Sequence, residues 1–173
     1  MATHLVYHGV VNSQGARNVE TLCAQRLSAG VTELTIWICS GGGDVNAGVG
    51  LFNFLRALPI MINTHCFGIC GSIAATIFLA GRRRTATPAS IFSLHASTYS
   101  EGPRKGQIAE NTALISKPFQ ELLDWKQDRI AHYFGSAEER FLTPEAAKEW
   151  GIVQIIEERS FASGDDIANV AIP

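Results

Sequence analysis

A serine, a histidine and two glycine-rich turns are the features of this sequence that can combine into one chemical site. Ser72 follows a turn at 68–71 and precedes an almost wholly small and apolar stretch, which predicts a buried helix. His95 ends the next apolar segment, which is of strand length. A serine at a helix start and a histidine at the end of a neighbouring strand match a nucleophile and its general base. The pattern therefore predicts nucleophilic catalysis.

The second turn, Gly41-Gly42-Gly43, also follows a predicted strand and opens a helix. Backbone N–H groups at a helix N-terminus are unpaired and favour negative charge, and glycines let a ligand approach the backbone closely. One N–H from this turn and one from the residue after Ser72 would form an oxyanion hole. The run fits neither dinucleotide-binding nor Walker spacing, so a phosphate cradle and a plain loop remain the alternatives.

Alternating strands and helices must position these residues. The predicted strands cover residues 5–10, 34–39, 61–67, 91–95 and 152–156. The predicted helices cover 18–29, 45–58, 72–80 and 107–134, the last kinked or split at Pro118, with a short helix after Thr143. This order predicts an α/β fold with parallel βαβ units. We expect one domain over residues 1–161 and a loose C-terminal tail over 162–173.

Composition excludes several classes of function. The formal charge of −2 over 173 residues gives no bias towards nucleic acid or an anionic membrane, and no apolar run is long enough to span a bilayer. The run Arg82-Arg83-Arg84 is interpreted as a solvated turn. The four cysteines, residues 23, 39, 66 and 70, are interpreted as buried thiols in a reducing compartment rather than as a metal site. We expect a soluble, cytoplasmic protein without a metal or an organic cofactor.

Beyond these residues, the sequence resembles the Clp protease proteolytic subunit from about Leu5 to Ile156. The resemblance rests on the order and spacing of several short motifs. These are Ile38-Cys39-Ser40-Gly41-Gly42-Gly43, Ala47-Gly48, Cys66-Phe67-Gly68, Ser72-Ile73-Ala74-Ala75, His95, Glu139-Arg140-Phe141-Leu142, Glu145-Ala146 and Trp150-Gly151-Ile152-Val153. It implies a spiral of ββα units, the Clp/crotonase fold, with a projecting handle at about 96–134.

The resemblance also implies roles for individual residues in a serine peptidase. Ser72 matches the nucleophile and His95 the base. Gly43 and Ile73 match the positions whose N–H groups hold the oxyanion. Glu139 falls where the family has its triad aspartate. The segment 96–106 would be the strand against which an extended peptide substrate pairs.

Glutamate at position 139 departs from the family pattern, and the connection before it is short. Glu138, Asp128 and Asp124 therefore stay open as alternatives for the orienting carboxylate. Two other functions stay open as well: a catalytically impaired structural or regulatory ring subunit, and an acyl-CoA hydratase or isomerase of the same fold. A serine–lysine mechanism would have to use Lys105.

The resemblance implies a homo-oligomer of seven-membered rings, possibly stacked, that cleaves peptides or unfolded proteins. The family's N-terminal loops, which meet an ATPase unfoldase, have no counterpart before Leu5. The sequence therefore does not predict coupling to such an ATPase.

Overall fold

A computed structural model describes residues 1–171 and shows a mixed α/β fold built on one sheet of eight strands. The strands are β1 (Thr3–His8), β2 (Glu33–Ser40), β3 (Met61–Gly71), β4 (Arg84–Ala86), β5 (Ile91–Leu94), β6 (Arg140–Leu142), β7 (Ile155–Ile156) and β8 (Asp166–Asn169). The helices are α1 (Ser13–Ser28), α2 (Val45–Ala57), α3 (Ile73–Phe78), α4 (Thr112–Leu123), α5 (Gln127–Phe134) and α6 (Pro144–Glu149).

The sheet has the order β6-β5-β3-β2-β1-β8, with β4 pairing both β3 and β7. All pairings are parallel except that of β5 with β6. The central strands β1, β2 and β3 are buried along most of their length, which is why they read as apolar runs rather than alternating ones. Because parallel strands end at the same edge, the turns that follow β2, β3 and β5 lie together there.

Helix α3 is buried on all sides and packs against α2. Gly48 of α2 faces Ile73, and a side chain at position 48 would collide with the Ile73 side chain. The glycine thus lets the two helices approach closely at the first residue of α3. This contact fixes the start of the helix that follows Ser72.

The handle region differs from the predicted helix over 107–134. Helix α4 contains Pro118 and continues past it to Leu123, and the chain breaks instead at Asp124, which has a left-handed φ of 55°. Trp125 is almost fully buried and packs against Phe119 across this break. The helix is therefore split at Asp124, beside the buried indole, and the prediction of a split at Pro118 is wrong.

The C-terminal segment is not the loose tail that the sequence predicts. Residues Asp166–Asn169 form β8, which pairs in parallel with β1 at the edge of the sheet. Arg26 binds both carboxylate oxygens of Asp166 at 2.9 Å, and Asp165 accepts the N–H of Ala2 at 2.8 Å. The side-chain amide of Asn18 donates to Ala171 O at 2.7 Å, so contacts hold the segment through 171. Residues 172 and 173 lie outside the described part of the chain.

Arg84 also differs from its interpretation as part of a solvated turn. Its guanidinium donates to the carbonyl oxygens of Gly81, Gly151 and Ile152 at 2.8–3.1 Å. It thereby joins the end of α3 to the segment after α6. Its neighbour Arg83 stays exposed and pairs with Glu157.

Candidate active site

Ser72 occupies the single residue between β3 and α3, in a strained backbone conformation. Its φ of 51° and ψ of −127° place it in a region that non-glycine residues rarely adopt. Within residues 1–171, Asp124 is the only other non-glycine residue with a positive φ. Its N–H donates to Ser93 O at 2.7 Å, and its side chain caps no amide of α3. The ordinary role of a serine at a helix start is therefore absent, and the hydroxyl is available for chemistry.

Two glycines allow the chain to bring this serine against the first glycine turn. A Cβ on Gly71 would lie 2.5 Å from Ser93 Oγ and 3.0 Å from Gly41 O. A Cβ on Gly42, whose φ is +107°, would lie 2.8 Å from Ser72 Cβ. Only glycine fits such spaces without displacing the backbone. The turns at 41–43 and 71–72 are therefore packed directly on each other.

His95 follows β5, which lies beside the end of β3. Cys70 and Gly71 pair with Phe92 and Ser93, so the two strands deliver Ser72 and His95 to the same edge. His95 is half-buried, and its Nδ1 lies 2.8 Å from the carbonyl oxygen of Ala96. A proton on Nδ1 satisfies that contact and leaves Nε2 as an acceptor, the tautomer a general base needs. No hydrogen bond joins the Ser72 hydroxyl to the ring within residues 1–171.

The sheet register favours Glu139 over the other carboxylates as the partner of His95. Strands β5 and β6 are antiparallel and pair Leu94 with Arg140, so the next position along the ladder sets His95 opposite Glu139. The Glu139 side chain is nevertheless exposed, and no hydrogen bond connects it to His95 in the described chain. The structure thus brings the two backbones together but leaves the carboxylate pointing into solvent.

The three alternative carboxylates are engaged elsewhere. Glu138 contacts Arg140 at 3.3 Å and Asp124 contacts Lys126 at 2.6 Å. Asp128 accepts the backbone N–H of Arg129 at 2.8 Å. None of the three has a recorded contact with His95 among residues 1–171.

The predicted oxyanion donors lie on the two packed turns. Ile73 is the first residue of α3, so its N–H has no acceptor within the helix. In the other turn, Val11 donates to Gly42 O and accepts from Asp44 N–H, both at 2.8 Å, and no acceptor for Gly43 N–H is found in the described part of the chain. A side chain on Gly43 would collide with Val11 O rather than with Ser72.

Gly42 and Ser93 are site residues that the sequence reasoning missed. Gly42 is the glycine in contact with Ser72, and its N–H donates to Ser40 Oγ at 3.1 Å. Ser93 is fully buried with a hydroxyl that has no partner in the described structure, packed against Gly71. Ser93 lies two residues before His95 in the same predicted strand, and side chains two residues apart point to the same face of a sheet. The sequence could therefore have placed Ser93 on the same face as His95. Which of three successive glycines faces the serine depends on the turn's dihedrals, which the sequence does not reveal.

The segment predicted to pair with a peptide folds into a hairpin with the chain that returns to α4. Thr98 bridges Ile108, Tyr99 N–H donates to Gln107 O at 3.0 Å, and Ala109 N–H donates to Ser97 O at 2.8 Å. One edge of the segment is therefore occupied. In this antiparallel pattern the N–H and C=O of Thr98 point away from the hairpin partner, towards the opposite edge.

Metal-binding clusters and membrane-spanning helices are both absent from residues 1–171. These residues contain no cluster of three or more histidine, cysteine, aspartate or glutamate side chains able to hold a metal ion. They also contain no helix long and apolar enough to cross a membrane.

Comparison with known families places this arrangement in context. The family model described as Clp protease matches residues 3–160. The chain belongs to the Clp protease family. It is 25% identical over 140 residues to the ATP-dependent Clp protease proteolytic subunit of Bdellovibrio bacteriovorus, covering 75% of this chain and 66% of that subunit. It is 27% identical over 168 residues to proteolytic subunit 1 of Streptomyces avermitilis, covering 87% and 72%.

Solved structures of the Clp type share the fold. An Asn-to-Asp variant of ClpP1 from Listeria monocytogenes superposes with a TM-score of 0.78 at 22% identity, over 90% of this chain and 91% of that one. The ClpP protease catalytic domain from Plasmodium falciparum gives a TM-score of 0.72 at 19% identity, over 92% and 88%. The predicted Clp fold is therefore confirmed.

Proposed function

We propose that this chain is a serine peptidase subunit, in which Ser72 attacks the peptide carbonyl and His95 is the general base. The observation that carries the proposal is the conformation of Ser72. A non-glycine residue at positive φ, without a capping bond, stands at the mouth of a buried helix and against a glycine turn. Such strain persists where the surrounding structure enforces it, and it concentrates at catalytic positions. Membership of the Clp protease family supports the same function.

The proposed reaction follows acyl-enzyme chemistry. Ser72 Oγ bonds to the carbonyl carbon while its proton passes to His95 Nε2. The negative charge that develops on the carbonyl oxygen is held by the N–H of Ile73 and by the glycine turn, for which Gly43 is the predicted donor and Gly42 the glycine nearest Ser72. His95 then returns the proton to the leaving amine. Water, activated by the same histidine, hydrolyses the acyl-enzyme.

Substrate and assembly are part of the proposal. The outer edge at Thr98 offers main-chain groups to an extended peptide, so we expect peptides or unfolded proteins as substrates. Large apolar side chains are 45–57% exposed at three positions: Ile108 and Leu114 in the handle region, and Phe141 on β6. Apolar surface of this kind favours burial against neighbouring subunits, in single or stacked seven-membered rings. An acyl-CoA hydratase would need carboxylates for proton transfer, and in the described chain, residues 1–171, only Glu139 lies beside the site by register.

A fluorophosphonate probe tests the proposal directly. It phosphonylates only an activated serine, because attack on phosphorus needs the same base and oxyanion donors as attack on a carbonyl. We expect stoichiometric labelling, mapped after trypsin digestion to the peptide 57–82, which contains Ser72. Label on another serine, or no label on the assembled protein, would contradict the assignment.

Replacement of Glu139 tests the third member of the triad. We expect Glu139→Gln to lower peptide cleavage by about 100-fold, because the carboxylate must swing from solvent to His95 and stabilise the imidazolium. Glu138→Gln is the matched control, since that neighbour pairs with Arg140, and it should cleave like the parent. Cleavage rates of both variants, at equal oligomer size, provide the measurement.

The opposite outcome has a specific meaning. If Glu139→Gln cleaves as fast as the parent, the Ala96 carbonyl alone orients His95 and the enzyme works as a dyad. If Glu139→Asp is more active than the parent, the natural chain has a weakened triad, which favours the regulatory-subunit alternative.

A further inference from the structure

An irregularity in β3 brings two cysteines of one strand close together. Cys66 is opposite Ile38 on β2, while Cys70 is opposite Ser40, so four residue steps on β3 match two steps on β2. Two steps along a strand span about 6.6 Å. The Cα atoms of Cys66 and Cys70 are therefore separated by about that distance, near the upper end of the range of roughly 4.4–6.8 Å that a disulfide bridges.

The side chains of these cysteines lie on one face of the sheet. Their partners Ile38 and Ser40 lie on the same face of β2, so the Cys66 and Cys70 side chains project from the same face of β3. The neighbouring Cys70 thiol lowers the pKa of the Cys66 thiol, whereas burial raises the pKa of the Cys70 thiol well above its usual value. Cys66 is thus the member of the pair that more readily forms the reactive thiolate.

The pair is close to the surface and to the nucleophile. Residues 67–69 form the irregular stretch between the two cysteines and are partly exposed, although both sulfurs are buried. Cys70 lies two residues before Ser72, pairs with Phe92 of β5, and its sulfur is 3.3 Å from Ala74 O in α3. A movement of Cys70 would be transmitted to the serine by the short connection between strand and helix.

We propose that Cys66 and Cys70 form a reversible disulfide on exposure to a peroxide, and that this bond slows acylation of Ser72. The first part stands on the geometry of β3, whereas the second rests on the proposed function. The pair is thus proposed as an oxidation site, which goes beyond the interpretation of the four cysteines as buried thiols in a reducing compartment.

The reaction balances with peroxide as the oxidant. The Cys66 thiolate attacks one peroxide oxygen, the O–O bond breaks, and protonation releases one water and leaves a sulfenic acid. The Cys70 sulfur then attacks the Cys66 sulfur and displaces the second water, giving the disulfide. Two thiols lose two electrons, which reduce one peroxide to two waters. A dithiol reductant reverses the reaction by exchange.

The bond would disturb the site because it is shorter than the contact it replaces. The two sulfurs of a disulfide are about 2.05 Å apart, well inside the distance between two sulfur atoms that merely touch, so Cys66 and Cys70 must draw together. The pairing of Gly71 with Ser93 and the contact of Cys70 with Ala74 then shift. A displacement of about 1 Å at a reacting group costs on the order of 100-fold in rate.

The experiment uses the intact protein and trypsin. After hydrogen peroxide treatment, the remaining thiols are alkylated and the protein is digested. Cys66, Cys70 and Ser72 share the tryptic peptide 57–82, Cys39 lies in 27–56, and Cys23 lies in 18–26. We expect the peptide 57–82 to carry no alkyl group and to be about 2 Da lighter than the same peptide with two free thiols. Treatment of the oxidised protein with dithiothreitol before alkylation should restore both thiols.

Fluorophosphonate labelling of the same samples measures the coupling to Ser72. We expect labelling to slow by about 100-fold after oxidation and to recover on reduction. Cys66→Ser should label at a rate that peroxide does not change. The matched control Cys39→Ser should keep both the disulfide and the sensitivity, because Cys39 packs at Gly68 without belonging to the pair.

Each remaining outcome contradicts part of the proposal. A cross-link between peptides 27–56 and 57–82, or two alkylated thiols in 57–82, would exclude the Cys66–Cys70 bond. A mapped disulfide with unchanged labelling would exclude the coupling. If the reduced protein takes no label, both the proposed function and the coupling to Ser72 are contradicted. The peptide map of the parent protein still decides whether the Cys66–Cys70 bond forms.

Discussion

Ser72→Ala is expected to abolish peptide cleavage, with a loss of about 10⁶-fold, the magnitude seen when a triad nucleophile is removed. The side chain makes no capping bond, and its hydroxyl has no recorded hydrogen bond within residues 1–171, so the hydroxyl contributes little to folding. Alanine keeps the Cβ that contacts Gly42 and adopts the same backbone conformation. The measurement is cleavage of a fluorogenic peptide by the parent and the variant at equal concentration.

The controls separate loss of chemistry from loss of structure. His95→Ala should lose a comparable factor, because nucleophile and base act as one unit and their contributions are not additive. Both variants should keep the parent's midpoint of thermal unfolding. They should also keep its oligomer size, measured by light scattering. A parent that scatters only as an 18.7 kDa species would contradict the ring assembly. A Ser72→Ala variant with substantial cleavage would refute the proposed nucleophile.

Local chain features made the positions of Ser72 and His95 in the fold predictable. Ser72 and His95 each stand at a boundary between a strongly apolar segment and a turn, and the structure finds both at those boundaries. The parallel order β5-β3-β2 then brings the boundaries to one edge, which the alternation of strands and helices already implied. The fold prediction succeeded for the same reason, since long apolar elements carry the clearest periodicity.

Short elements and side-chain directions were not predictable. Strands β4 and β6 have three residues each, too few for a period to show, and β4 begins inside the arginine run. Strand β6 supplies the register that sets Glu139 opposite His95, yet the direction of the carboxylate is a rotamer that no sequence pattern encodes. Strand β8 is formed by a polar segment, and ion pairs such as Arg26–Asp166 hold it rather than an apolar stripe.

The three glycines at 41–43 show how structure changes a mutational test. Gly43 is the predicted oxyanion donor, but a β-branched residue there would do more than remove that donor. Its side chain would collide with the backbone of Val11 between β1 and α1. Loss of activity in Gly43→Val would therefore mix a catalytic effect with a folding effect.

Gly42→Ala isolates the catalytic effect, and Gly41→Ala is its matched control. A Cβ at position 42 would lie 2.8 Å from Ser72 Cβ and 3.4 Å from Ser72 Oγ, whereas a Cβ at position 41 meets nothing within 4 Å. The same methyl group thus presses on Ser72 in one variant and enters open space in the other. Because it also disturbs the turn proposed to hold the oxyanion, we expect Gly42→Ala to lose about 1000-fold in cleavage.

The positive φ of Gly42 adds a stability cost of about 1–3 kcal/mol for a residue with a side chain. Thermal unfolding should therefore show a lower midpoint for Gly42→Ala but a folded protein at assay temperature, and Gly41→Ala should match the parent in both midpoint and cleavage. Fluorophosphonate labelling should fall with cleavage in Gly42→Ala, since both reactions need the oxyanion donors. If Gly42→Ala stays folded and cleaves at the parental rate, the glycine turn does not face the reacting carbonyl, and the oxyanion must be held by Ile73 and a donor outside residues 41–43.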